Sequence, residues 1–181
     1  MSEDLEDVAE APEESAAPQD PVLAKLVEAF PEGVLATGDW RGDRTAVVAR
    51  DALVEVMKKL RDDEGFEMLL DVTAVDYLGR SPRFEIVYHL VRLEDASRMR
   101  VKVPLEQEDA KIPSLVELWH GANWLERETF DMYGIEFSGH PDLTRIYLYD
   151  EFEGHPLRKD YPKEKRQPLV GPGAIARPEA E

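Results

Sequence analysis

Residues 67–103 read EMLLDVTAVDYLGRSPRFEIVYHLVRLEDASRMRVKV and carry three strand patterns in succession. Glu67 to Tyr77 is apolar on both faces over much of its length, which predicts a central strand. Arg83 to Arg92 alternates, with Phe84, Ile86, Tyr88 and Leu90 on one side. Arg98 to Val103 alternates more cleanly, with Met99, Val101 and Val103 inward and Arg98, Arg100 and Lys102 outward. Leu93 to Ser97 reads as the turn between these two, so they are expected to pair antiparallel.

Upstream, Asp20-Pro21 marks a helix start, with Asp20 as N-cap and Leu23, Leu26, Val27 and Phe30 as its apolar stripe. Val34–Thr37 and Thr45–Ala49 read as strands joined through GDWRGD, a hairpin. Asp51 is the expected cap of a second helix carrying Leu53, Val56, Met57 and Leu60. Downstream, Pro113 to Glu117 (PSLVE) predicts the start of a third helix through a capping box between Ser114 and Glu117. Gly134 is its expected terminator. The order α-β-β-α-β-β-β-α predicts a two-layer α+β domain over residues 20–138, with its helices on one face of a mixed or antiparallel sheet.

The chain has 181 residues and a net charge of −17, from 22 Lys and Arg against 39 Asp and Glu. Such a charge repels nucleic acid and anionic membrane surfaces. It contains no cysteine, which excludes disulfides, thiolate zinc sites and cysteine-ligated iron–sulfur clusters within this chain. No apolar run approaches the roughly 20 residues that span a bilayer. The acidic start MSEDLEDVAEAPEES is unlike a signal peptide, so a soluble chain in the cytosol is expected. Residues 1–19 carry acidic residues with no Lys or Arg, a composition that predicts a disordered tail.

Residues 139–181 read as an extended, proline-punctuated arm. Its Ile146, Tyr147, Leu148, Tyr149 and Phe152 are anchors suited to a groove of another protein, or to the chain's own domain as far as Tyr161. Arg158, Lys159, Lys163, Lys165 and Arg166 favour an acidic partner surface. At 100° per residue Glu126 falls within the apolar stripe of the third helix, with Glu128 and Asp131 on the opposite side. A carboxylate facing a core needs a partner, so Glu126 is expected to meet Arg145 or Arg158 from the arm. Arg127 and Asp131 are spaced to pair at i,i+4. Glu126, Glu128, Asp131, His140 and His155 are metal-ligand types without a recognisable ligand spacing. Each of the two His-Pro pairs suits a turn fixed by imidazole–backbone hydrogen bonds.

The run GANWLERETFDMYGIEFSGHPDLTRIYLYDEFEGHPLRKDYP, with FEMLLDVTAVDY, RFEIVYHL and RVKVPL before it, resembles the C subunit of proton-pumping NADH:quinone oxidoreductase, respiratory complex I, in its separate unfused form. The likeness covers roughly Pro21 to Pro162. It implies a peripheral-arm subunit on the cytoplasmic side of the bacterial inner membrane that packs against the D subunit and the B subunit near the quinone end of the electron path. It further implies that this chain is itself non-catalytic and binds no cofactor, the FMN and iron–sulfur clusters lying in partner subunits. By position, the resemblance assigns structural and interface roles to Glu126, Arg127, Glu128, Asp131, Gly134, His140, Pro141, Asp142, Arg145, Gly154, His155, Pro156, Arg158, Lys159, Asp160 and Tyr161. Two other readings remain open at this point: the equivalent subunit of an energy-converting membrane-bound hydrogenase or ferredoxin-type relative, and a stand-alone metal enzyme.

Overall fold

The computed structural model describes residues 20–167; the expectations for residues 1–19 and 168–181 lie outside them. Asp20 caps helix α1 (Pro21–Ala29), its carboxylate accepting from the amides of Val22 at 2.9 Å and Leu23 at 3.2 Å. The same carboxylate pairs with Arg44, which ties the helix start to the sheet. Strands β1 (Val34–Trp40) and β2 (Asp43–Val48) form the expected hairpin, turning at Arg41-Gly42. Both turn residues have positive φ, which matches the strand twist of a tight hairpin.

Helix α2 (Leu53–Asp62) follows, then β3 (Met68–Asp76), β4 (Phe84–Arg92) and β5 (Ser97–Leu105). The sheet order is β1-β2-β5-β4-β3. Strands β4 and β5 pair antiparallel as expected, while β2 and β5 run parallel, so the sheet is mixed. Ala46, Val101, Tyr88 and Val72 form one inward row across four strands, and all are buried. Helices α1 and α2 contribute Leu23, Leu26, Leu53, Val56, Met57 and Leu60 to this core. The helices therefore share one face of the sheet. The other face carries Thr45, Val47, Arg100, Lys102, Val87 and His89, as antiparallel sheets with one open side commonly do.

Three expectations need correction. First, β3 is an edge strand and β5 the central one. The apolar pattern of β3 is not matched by burial on both faces: Val72 and Ala74 are buried while Met68 and Leu70 are exposed, and helix α3 (Ala122–Tyr133) packs against the strand. Thr129 donates through its hydroxyl to the Val72 carbonyl, and Trp119 through its indole to the Glu67 carbonyl, so side chains occupy backbone acceptors of this strand and its approach. Second, Asp51 caps nothing. The chain enters α2 through a 3-10 turn, Arg50–Ala52, and the helix start has no side-chain cap.

Third, no helix starts at Pro113. Lys111–Pro113 is a short strand, β6, paired parallel with β7 (Glu136–Ser138). The Ser114 amide donates to the Ser138 carbonyl at 2.9 Å, extending that pairing. A single turn at Leu115–Trp119 then leads to α3, which begins at Ala122. The local Ser114–Glu117 capping box gives way to a long-range one. Ser114 Oγ donates to Glu126 Oε2 at 2.6 Å, and the Leu115 amide donates to Glu126 Oε1 at 2.7 Å. Helix α3 ends at Gly134 as expected, with the left-handed φ of 76° that glycine tolerates.

Candidate functional site

The arm lies against its own domain as far as Asp160, held at two points by carboxylates. The first is Asp131, near the end of α3. Its side chain is fully buried, and its Oδ2 accepts from three successive arm amides: Ile146 at 3.2 Å, Tyr147 at 2.9 Å and Leu148 at 3.1 Å. Its Oδ1 pairs with Arg145 Nη1 at 3.0 Å. Three amides converging on one oxygen form a concave anion nest, here filled by a side chain of the same molecule. Arg145 also donates to the Gly154 carbonyl, closing the arm on itself.

The second point is Asp76, at the end of β3 in the inward phase of Val72 and Ala74. It makes a two-pronged pair with Arg83, at 2.8 Å on both oxygens, and both side chains are almost fully buried. The Lys159 amide donates to Asp76 Oδ2 at 2.8 Å, and Arg83 Nη1 reaches Asp160 Oδ2 at 2.9 Å and Gln107 Oε1 at 2.7 Å. Arg158 also pairs with Asp160 and lies over the Phe84 ring. Hydrogen bonding from Arg83 holds the Asp76 carboxyl below its ordinary range against the opposing effect of burial. Asp160 is lowered by Arg158 first and Arg83 second, and Arg83 is raised in turn by Asp76 and Asp160.

Between these points the two His-Pro turns use opposite tautomers. His155 Nδ1 lies 2.9 Å from the Asp131 carbonyl, which only accepts, so Nδ1 carries the proton. His140 Nδ1 accepts from the Asp142 amide, and its Nε2 donates to the Asn123 carbonyl at 3.1 Å. Burial lowers the His155 pKa. The His155 ring occupies the space beside Gly134, where an added Cβ would stand 2.6 Å from ring atoms. A Cβ on Gly154 would meet the Tyr161 ring at 3.0 Å, and that ring stacks on Phe152.

Two expected pairings are absent. Glu126 is fully buried but faces the Ser114–Leu115 turn, away from Arg145 and Arg158, and takes two neutral donors in place of a cation. Its pKa is therefore pushed up to about 7 by burial, with the Ser114 and Leu115 hydrogen bonds pulling the other way. Arg127 does not pair with Asp131, which is turned into the arm. Its guanidinium donates to the Thr144 carbonyl at 3.0 Å and the Thr144 hydroxyl at 2.7 Å, and it lies over Trp124. Asp131 itself, expected on the open side of α3, is covered by the arm.

Glu128, Pro141, Asp142 and the Lys159 side chain are exposed, and Pro156 is half-buried. Tyr147 and Leu157 are exposed arm residues, as is Trp124 on α3. Asp76, Arg83 and Gln107 are not among the residues the sequence singles out as partners, and Ser114, expected to partner Glu117, partners Glu126. The inward phase of Asp76 was the one available signal. Among the described residues no group of three His, Asp or Glu side chains is placed to hold a metal ion, and no helix is long and apolar enough to cross a membrane.

A mixed-sheet α+β domain with a C-terminal strap pinned across α3 defines a structural class. Its relatives are specific. Residues 46–167 match the respiratory-chain NADH dehydrogenase 30 kDa subunit family. The C subunit of NADH-quinone oxidoreductase from Citrifermentans bemidjiense is 48% identical over 151 residues, covering 82% of this chain and 94% of that protein. Its counterpart from Roseiflexus sp. is 48% identical over 143 residues, covering 78% and 82%. A trypsin-resistant fragment of Nqo5 aligns with a TM-score of 0.59 at 39% identity, covering 66% of this chain and 96% of the fragment. The archaeal membrane-bound sulfane sulfur reductase shares the fold, with a TM-score of 0.68 at 24% identity over 79% of this chain and 85% of that one. The chain belongs to the respiratory-chain NADH dehydrogenase 30 kDa subunit family, and its relatives are subunits of NADH-quinone oxidoreductase.

Proposed function

We propose that this chain is a non-catalytic structural subunit of the peripheral arm of proton-translocating NADH:quinone oxidoreductase. It packs against the D and B subunits near the quinone end of the electron path, on the cytoplasmic side of the bacterial inner membrane. The FMN and iron–sulfur clusters that carry electrons belong to partner subunits. One observation carries this reading: the polar residues of the signature stretch are spent on structure. Asp131 binds three amides and Arg145, Glu126 organises a turn, and the two histidines fix backbone carbonyls or amides. Groups engaged in this way position a surface, and the exposed Trp124 and Tyr147 are of the types that anchor protein interfaces.

The test is recovery of the tagged chain from detergent-solubilised membranes, with partners identified by mass spectrometry. Flavin- and iron–sulfur-bearing partners with NADH:quinone activity are expected. Recovery with a nickel-site large subunit and hydrogen-evolving activity would assign the chain to a related machine, and recovery of the folded chain alone would refute the subunit role.

A further inference from the structure

Tyr88 is the largest of the fully buried side chains, and its hydroxyl has no hydrogen-bond partner among the described residues. Buried hydroxyls in folded proteins are almost always satisfied, by protein or by ordered water. The other buried side-chain atom in this position, Glu85 Oε1, has Lys102 Nζ at 2.9 Å. Tyr88 is therefore the buried polar group left without a partner.

The fold sets this hydroxyl beside Glu126. Tyr88 lies opposite Val72 in the β3–β4 register, on the inward face of the sheet. Helix α3 reaches the same point of β3, where the Thr129 hydroxyl donates to the Val72 carbonyl. Glu126 stands one turn before Thr129 on the same buried side of that helix. Its charge accordingly adds to burial in raising the Tyr88 phenol pKa, yet the two side chains make no direct hydrogen bond.

Glu126 has acceptor capacity to spare. An ionised carboxylate offers about four lone-pair sites. Ser114 Oγ and the Leu115 amide occupy two of them, and both donors are neutral. No basic residue pairs with Glu126 among the described residues.

We propose that one buried water bridges Tyr88 and Glu126, accepting from the hydroxyl and donating to the carboxylate. Two polar groups that are both buried and both incompletely paired are what an internal water requires. The water is a third donor to Glu126, and it ties β4 to the Ser114–Leu115 turn through the carboxylate that organises that turn. It serves either charge state, since water accepts from a protonated carboxyl and donates to an ionised one. The site concerns this chain alone and does not depend on the subunit role.

The test has two readouts on the full chain. A density map of the wild type at atomic resolution is expected to show a water within hydrogen-bond distance of both the Tyr88 oxygen and a Glu126 oxygen. Absence of that water, or direct contact between the two side chains, overturns the proposal. Tyr88→Phe removes the hydroxyl and keeps the ring. Followed through the carbon-13 shift of its carboxyl group, Glu126 is expected to titrate about one pH unit higher in Tyr88→Phe than in wild type, because the anion loses a donor. An equal or lower midpoint in the variant overturns the proposal as well. Should Tyr88→Phe fail to fold, the wild-type map decides alone.

Discussion

Glu126 and Asp131 sit five residues apart on one helix, and both carboxylates are fully buried, yet their environments are opposite. Asp131 faces the arm and is charge-compensated by Arg145 and three amides. Glu126 faces the domain, where one hydroxyl and one amide are its partners. The two groups therefore respond differently to pH and to substitution.

Glu126 titrates near neutrality, with its folded pKa raised from 4.5 to about 7. A raised carboxyl pKa means that the folded state holds the proton more tightly than the unfolded chain. The stabilisation from this group is therefore complete below pH 4.5, declines as pH rises toward 7, and is lost above it. Over that window the loss is on the order of 3 kcal/mol. Glu126→Gln keeps an acceptor for the Leu115 amide and is expected to flatten this decline. Glu126→Ala strands that amide and opens a cavity, and is expected to cost about 2–4 kcal/mol. Urea denaturation of the three proteins at pH 5, 6, 7 and 8 checks both. Parallel wild-type and Gln profiles would contradict the assignment.

Removing the Asp131 carboxylate should loosen the arm more than the domain. Asp131→Ala leaves Arg145 and three amides without their shared acceptor, a loss of about 3–5 kcal/mol for a buried pair. The expected result is faster trypsin cleavage after Arg145 than in wild type, with the β-sheet circular dichroism signal retained. Unchanged cleavage at Arg145 would show that the nest does not hold the arm.

In the free wild-type chain, trypsin should cut first after Lys163, Lys165 or Arg166, which are exposed. In the assembled complex the same bonds should be protected. Equal cleavage rates in the two states would count against burial of this segment on assembly.

Acid should release the end of the arm. The pKa values of Asp76 and Asp160 are both lowered from 3.8, so their stabilisation is present above that value and is lost as pH falls below it. Arg83→Met removes the cation common to both, leaves the buried Asp76 unpaired and is expected to destabilise by about 3–5 kcal/mol. Amide exchange at Lys159, whose N–H is held by Asp76, reports the release directly. A Lys159 protection factor that stays level as the pH is lowered from 5 through 3.8 to 1 would disprove the acid latch.

Gly134 is constrained twice, by its φ of 76° and by the His155 ring. Gly134→Ala should cost more than the roughly 1–2 kcal/mol of a left-handed alanine alone. Adding His155→Ala should recover the steric part, so the double variant should be less destabilised than the sum of the two single ones. Strict additivity in thermal unfolding would separate the two constraints.

Much of this architecture is written locally. Alternation in β4 and β5, the Asp20-Pro21 helix start and the glycine at 134 each depend on neighbours within a few residues, so the chain alone specifies them. The signature stretch likewise marked the family and most residues that now pin the arm. Three-dimensional contact settled the rest. Ser114 takes Glu126 as its partner in place of Glu117, twelve residues away rather than three, because β6 pairs with β7 and draws Ser114 out of any helix. Asp131 is buried because the arm returns over α3, which helical phase cannot reveal. The edge position of β3 follows from the parallel β2–β5 pairing, a contact across an intervening helix and two strands. Periodicity tells which side of an element is apolar; what lies against that side, and which buried charge meets which partner, is set by chain segments distant in sequence.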